Sequence, residues 1–248
     1  MSKTIKKTDF IAFSAVFTAA AILICLIGIR FSTAKTIAEL TAEPSSSFQT
    51  IVIDAGHGGE DGGASLYGGA PEKELNLHIA NDLRDILTML GFKVIMTRTD
   101  DTLLYDKNSD YQGHKKSMDL ANRLKIARET ENAILLSIHM NAFPETKYSG
   151  LQVYYSKNKE SSQRLALLVQ DINRSVLSPE NNRKIKQAGS NIFLLDRFDG
   201  TAILIECGFL SNDAERELLN TAEYRQKLSA VFLAAITEFV SDDENIIK

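Results

Sequence analysis

Cysteine is almost missing from this chain: 248 residues contain two, Cys25 inside an apolar run and Cys207 inside a strand-like one. Two thiols so placed supply no disulfide framework and exclude a cysteine-rich zinc site. A basic surplus is missing as well. The whole chain carries −4, and residues 1–35 hold five basic side chains against one acid, which leaves −8 on the remainder. An acidic body of this kind argues against nucleic acid as a partner. There is no internal repeat, and histidine is scarce, with four in all.

What is present begins with the 20 uncharged residues from Phe10 to Ile29. As a helix rising about 1.5 Å per residue, such a run covers roughly the 30 Å hydrocarbon thickness of a bilayer. A cleaved signal peptide is the competing reading, but its apolar region is usually about 7–15 residues and ends in small side chains. Lipidation at Cys25 is disfavoured by the bulk of Ile24 before it. Lys3, Lys6 and Lys7 precede the run, and Arg30 and Lys35 follow it. The positive-inside rule therefore puts the N-terminus in the cytoplasm and the rest of the chain outside, tethered to the membrane as a single-pass protein. Residues 1–30 are thus expected to form an anchor, 31–48 a linker, 49–241 the folded domain and 242–248 a polar tail.

Within the folded part, apolar strand-like runs alternate with helical patterns. The strands are expected at Ile51 to Asp54, Phe92 to Thr97, up to His139, Leu151 to Tyr155, and Ala202 to Cys207. Leu75, Ile79, Leu83 and Leu87 recur at helical spacing after Pro71 and Glu72, until Gly91 stops them. Further helices are expected at about 117–129 and 161–177, and a last one runs through Leu228, Val231, Phe232, Ala235, Ile236 and Phe239. Asn212 and Asp213 are good N-cap residues after the last strand. Alternation of this kind predicts a layered, mainly parallel α/β domain.

Two of the apolar runs deliver a histidine, His57 and His139, and a third delivers Glu206. In open α/β sheets the carboxyl ends of strands meet in one crevice, so these three residues point to a metal or acid–base site. Each also has a plainer explanation. His57 could be a loop residue bonded to its glycine-rich turn, which holds seven glycines from Gly56 to Gly69. That loop is not a phosphate cradle, since it lacks the Lys-Ser/Thr of a P-loop and the dinucleotide spacing. His139 could be a satisfied core histidine, and Glu72 a helix-start acid favoured by the helix dipole. Glu206 is harder to dismiss: a carboxylate after Ile203, Leu204 and Ile205 must be paired, metal-bound or reactive. His78 and His114 read as surface residues, Cys207 as buried, and Arg98 and Arg123 as pairing with acids or orienting substrate.

Five blocks then combine: Gly56 to Ala64, Glu72 to Leu77, Thr97-Arg98, Ser137 to Ala142, and Glu206 to Asn212. In this order they resemble the zinc-dependent N-acetylmuramoyl-L-alanine amidases of bacterial cell walls. The resemblance implies His57, Glu72 and His139 as ligands of one Zn²⁺, Glu206 as the catalytic glutamate, and a mixed, roughly six-stranded sheet flanked by helices. It implies hydrolysis of the amide between the lactyl group of N-acetylmuramic acid and L-alanine, with peptidoglycan as the partner on the outer side of a bacterial cell membrane. The pattern is departed from at Arg128, Asn132-Ala133 and Lys184, none of which is an implied ligand. Short length and the single N-terminal anchor further resemble the germination-specific, spore-cortex branch, which helps make muramic-δ-lactam. There is little room between His139 and Glu206 for the autoinhibitory helix of some septal relatives, so control is expected from a regulatory protein or from timing. Another anchored zinc peptidase, or an inactive wall-binding scaffold, are the alternatives.

Overall fold

Strict alternation in three neighbouring strands gives the two faces of one sheet different fates. The computed structural model describes residues 49–65, 69–106, 108 and 113–246. The expected anchor (1–30) and tether (31–48) lie outside them, and among the described residues no helix is long and apolar enough to cross a membrane. In chain order the elements are β1 (Thr50–Ala55), α1 (Glu72–Met89), β2 (Val94–Met96), α2 (Lys115–Glu129), β3 (Ala133–Asn141), β4 (Gln152–Tyr155), α3 (Glu160–Val176), β5 (Lys186–Gln187), α4 (Phe193–Arg197), β6 (Thr201–Phe209), α5 (Asp213–Leu219) and α6 (Ala222–Ile246). They build a six-stranded sheet in the order β2-β1-β3-β6-β4-β5. The first four strands in that order are parallel; β4 runs antiparallel to β6 and carries β5 parallel to itself. The sheet is therefore mixed, with helices on both sides, as the resemblance implied.

One face carries Ile51, Ile53, Ala55, Ile134, Leu136, Ile138, Ile203 and Ile205, packed on α1, α3 and α6. Leu75, Ile79, Leu83 and Leu87 of α1, and Phe232 and Phe239 of α6, are almost wholly buried there. Full burial of side chains this size contributes roughly 1.5–3 kcal/mol each, so this layer is the main stabilising core. The opposite face is smaller. Val52, Leu135, Ala202 and Leu204 pack on Leu124 and Ala127 of α2 and on Leu194 and Leu195 of α4. Two residues further along each parallel strand, this face turns polar, through Asp54, Ser137 and then His139 and Glu206. There residues of α2 and α4 stand across from the sheet with a crevice between.

Several boundaries differ from the sequence reading. β3 and β6 continue past His139 and Glu206 to Asn141 and Phe209, because the ladder between them is kept, with a register shift between His139 and Asn141. The two residues thus sit within paired strands, beside the kind of irregularity that re-aims side chains near active sites. β2 shrinks to three residues. The backbone of α6 stays helical to Ile246, taking in most of the segment expected as a tail beyond residue 241: once its apolar stripe is docked, a helix propagates cheaply past the last buried turn. β5 and α4, of two and five residues, are too short to show any periodicity.

Candidate metal centre and active site

A crevice of about 340 Å³ opens at the carboxyl ends of the parallel strands, between His57, His139, Glu206 and Tyr154 on the sheet side and Leu120 of α2 and Phe193 of α4 across from them. His57 leaves β1 with φ of 61°, a left-handed conformation that costs a non-glycine residue about 1 kcal/mol or more. Arg123 holds it there by donating from Nη2 to the His57 carbonyl at 2.6 Å. The ring then points Nε2 at Glu72 Oε1, 3.2 Å away, and Nδ1 at Asp61 Oδ2, 3.0 Å away.

Glu72 is the first residue of α1 and is 4% exposed. Its Oε2 accepts from the Ala64 amide at 2.8 Å and its Oε1 from the Met140 amide at 3.0 Å, so loop and strand fix both oxygens. The same Oε1 lies 3.0 Å from His139 Nδ1, and the two imidazole rings meet edge to face with centroids 5.0 Å apart. Burial pushes the Glu72 carboxyl up, but hydrogen bonds and charge from His139 and His57 win and hold it well below the usual carboxylate range. Burial pulls His57 down, and its bonds to Glu72 and Asp61 more than reverse this, leaving it raised.

One ligand atom from each of His57, Glu72 and His139 lies within 4.8 Å of the other two. Two imidazole nitrogens and a carboxylate oxygen are the donor set of hydrolytic zinc sites, with room for a further ligand. The surrounding glycines fit the same use. A Cβ on Gly56 would stand 2.3 Å from the His139 ring, and one on Gly63, where φ is +66°, would stand 2.5 Å from Glu72 Oε2. The donor set and its cradle therefore suit a small divalent cation.

Glu206 stands directly across the β3–β6 ladder from His139. Its Oε2 is buried and has no hydrogen-bond partner among the described residues. Leaving such an acceptor unmatched costs about 1–3 kcal/mol, a cost that a folding-only role would not explain. Burial is the largest influence on its carboxyl; the imidazoles of His139 and His57 pull down, Glu72 pushes up, and the result is about 7. A carboxyl near neutrality is suited to exchange protons in both directions.

Under the site, Arg98 and Arg123 meet partners that the sequence does not announce. Asp54 accepts from Thr97 Oγ1 at 2.7 Å, Ser137 Oγ at 2.6 Å and Arg123 Nη1 at 2.8 Å. Arg123 is 1% exposed and also binds Asp119 at 2.8 Å and the Ala55 carbonyl at 2.7 Å. Arg123 thus does pair with acids, and through its bond to His57 it also braces the metal loop. Arg98 donates to the carbonyls of Ala55, Gly56, Lys73 and Asp100, closing the glycine-rich turn from below. Asp54 keeps the alternation of Val52, so a buried acid two residues before a candidate loop was the available signal. His78 and His114 are exposed and apart from the crevice, and Cys207 is buried on the opposite face.

Comparison with known proteins agrees with this arrangement. Residues 51–238 match the family described as N-acetylmuramoyl-L-alanine amidase. A germination-specific N-acetylmuramoyl-L-alanine amidase of Bacillus subtilis is 35% identical over 196 residues, which is 79% of this chain and 81% of that protein. The CwlD amidase of Clostridioides difficile, solved in complex with the GerS lipoprotein, superimposes with a TM-score of 0.73 at 37% identity, covering 78% of this chain and 98% of that one. The AmiC2 amidase of Nostoc punctiforme gives 0.66 at 27% identity, over 78% and 97% of the two chains. This chain belongs to the N-acetylmuramoyl-L-alanine amidase family, and it is similar to that family's germination-specific members.

Proposed function

We propose that this protein hydrolyses the amide between the lactyl group of N-acetylmuramic acid and the L-alanine of the stem peptide, as a zinc enzyme of the cell wall. The observation that carries the reading is the juxtaposition of three metal-ligating groups with an unpartnered buried carboxylate on the neighbouring strand. His57, Glu72 and His139 would hold the ion, which when bound supplies Lewis acidity toward the carbonyl and toward water. Glu206 accepts the proton of the attacking water through Oε2. With a proton affinity balanced near neutrality, the same carboxyl returns that proton to the departing alanine nitrogen. Asp61 and the Ala64 and Met140 amides keep the donors aimed, and the apolar wall of Leu120 and Phe193 limits water in the crevice.

Likeness to germination-specific amidases supports spore cortex as the peptidoglycan attacked, so that muramic-δ-lactam can form. The uncharged run at 10–29 and the lysines before it support a single-pass membrane protein with the catalytic domain on the extracytoplasmic side. A regulatory protein partner belongs to the same reading, since the similar Clostridioides difficile amidase was solved with a lipoprotein. Digestion of cortex and vegetative peptidoglycan by the protein, with and without zinc, tests the chemistry by product mass. Release of stem peptides with a free alanine N-terminus, only with zinc, is the expected result. Cleavage inside the stem peptide would replace the reading by a peptidase, and intact wall at saturating zinc would leave a binding scaffold.

A further inference from the structure

The sheet lays the site and its flank out as a line. His57 follows β1, His139 is on β3, Glu206 on β6 and Tyr154 on β4, where the crevice lining ends; Gln152 on β4 and Lys186 on β5, at the free edge, lie beyond it. Gln152 pairs directly with Glu206, Tyr154 with Leu204 and Lys186 with Tyr154, so these side chains share one face. Glu206 stands between the metal-ligating residues and the β4–β5 edge. If it hands its proton to the departing nitrogen, the peptide beyond that nitrogen extends over β4 and β5.

Two cations wait there. The Arg183 guanidinium is stacked 4.4 Å over Phe209, donates from Nε to the Ser149 carbonyl at 2.6 Å and from Nη1 to Gln152 Oε1 at 3.1 Å. It is held rigidly beside the residue opposite Glu206, with Nη2 left over. The acid whose field it shares, Glu215, is occupied by the amides of Phe209 and Gly150. Lys186 is exposed, with Nζ 6.0 Å from the Tyr154 ring. Neither cation forms an ion pair among the described residues. This contrasts with the side of the crevice near His57, where Lys116 is paired with Asp61 and Lys115 with Glu60. On a body carrying a net −8 beyond residue 35, two cations three residues apart in the chain, neither in an ion pair among the described residues, mark a place for a ligand's negative charge.

We propose that Arg183 and Lys186 form a carboxylate subsite for the stem peptide, so that the protein selects stems with a free acid over amidated ones; this rests on the amidase reading above. From β6 to β5 is two strand spacings, roughly 9–10 Å. An extended peptide advances about 3.3 Å per residue, so the carboxylate concerned belongs to the second or third stem residue. Arg183 offers the remaining donors of a guanidinium already fixed in place, through Nη2, and Lys186 a mobile point charge.

The test uses muramyl tripeptides identical except that the carboxyl of the second or third residue is free or amidated, and compares kcat/KM within each protein. In the natural sequence the free acid is expected to win about tenfold, chiefly through KM and less at high salt, as for a charge-assisted contact at a partly exposed site. Lys186→Glu should bring the ratio below one and Arg183→Gln should bring it near one. Since Arg183 also stacks on Phe209, the exposed Lys186 is the variant that separates binding from folding. Equal rates for acid and amide in the natural sequence, or an unchanged ratio in Lys186→Glu, would overturn the subsite. Calorimetry with the free stem peptides reads the same discrimination without turnover. A substrate that binds with the expected preference but is never cut would instead reject the amidase reading.

Discussion

Replacing Arg123 by Met tests whether the charged network beneath the site holds the site up. The guanidinium is 1% exposed and is shared by Asp54, Asp119 and the carbonyls of Ala55 and His57. A methionine fills much of the space but leaves two carboxylates with 1% and 2% exposure without the guanidinium that pairs with them. Breaking a buried pair in this way costs about 3–5 kcal/mol. For a domain of this size each kcal/mol shifts the midpoint by about 2–4 °C, so thermal unfolding at pH 7 should fall by roughly 10 °C. The cost should ease in acid. In the natural sequence burial pushes Asp54 up, but Arg123 and Ser137 hold it at about 2, below the ordinary aspartate value. Without Arg123 burial prevails and the folded value rises above the unfolded one, so the deficit is full at neutral pH and narrows as Asp54 takes up its proton. Adding Asp54→Asn to the variant should recover part of the loss. A deficit under about 1 kcal/mol by urea melts, independent of pH, would refute the reasoning.

Two other outcomes follow from the same geometry. Asp54 in the natural sequence titrates below its unfolded value, so its contribution is complete above about pH 4 and lost as pH falls toward 2; roughly 2 kcal/mol of acid sensitivity should vanish in Asp54→Asn, and urea midpoints from pH 5 to 2 would show it. Gly63→Ala puts a methyl 2.5 Å from Glu72 Oε2 and 2.8 Å from His57 Cδ2, whereas Gly113→Ala, also at positive φ, meets nothing within 4 Å; chelator competition should show zinc affinity falling about 10–100-fold in the first and holding in the second.

The four central residues were legible because strand alternation and chemistry agree. His139 and Glu206 each follow a run of buried aliphatics, and a polar group there demands a reason. His57 and Glu72 were ambiguous alone, since a loop histidine and a helix-start acid each have ordinary causes, and only the family resemblance pointed to them as a set, which the fold brings together. That Arg123 pairs with acids was expected, but which acids, Asp54 and Asp119, was not legible, because β1 meets α2 only in the folded sheet. Nor was the far wall, because α4 is one short turn whose Phe193 and Leu194 carry no readable period. The strands overran their expected ends for a related reason: ladder pairing between β3 and β6 outlasts the apolar pattern that announces it.

The central claim is that His57, Glu72 and His139 bind one zinc ion while Glu206 does not. Metal analysis of purified protein, after loading with zinc and removal of the excess, tests it most directly. One tightly held ion in the natural sequence and in Glu206→Gln is expected, with that ion lost or weakened at least tenfold in each of His57→Ala, Glu72→Ala and His139→Ala. Unchanged zinc in the three ligand variants, or its loss in Glu206→Gln alone, would contradict the account.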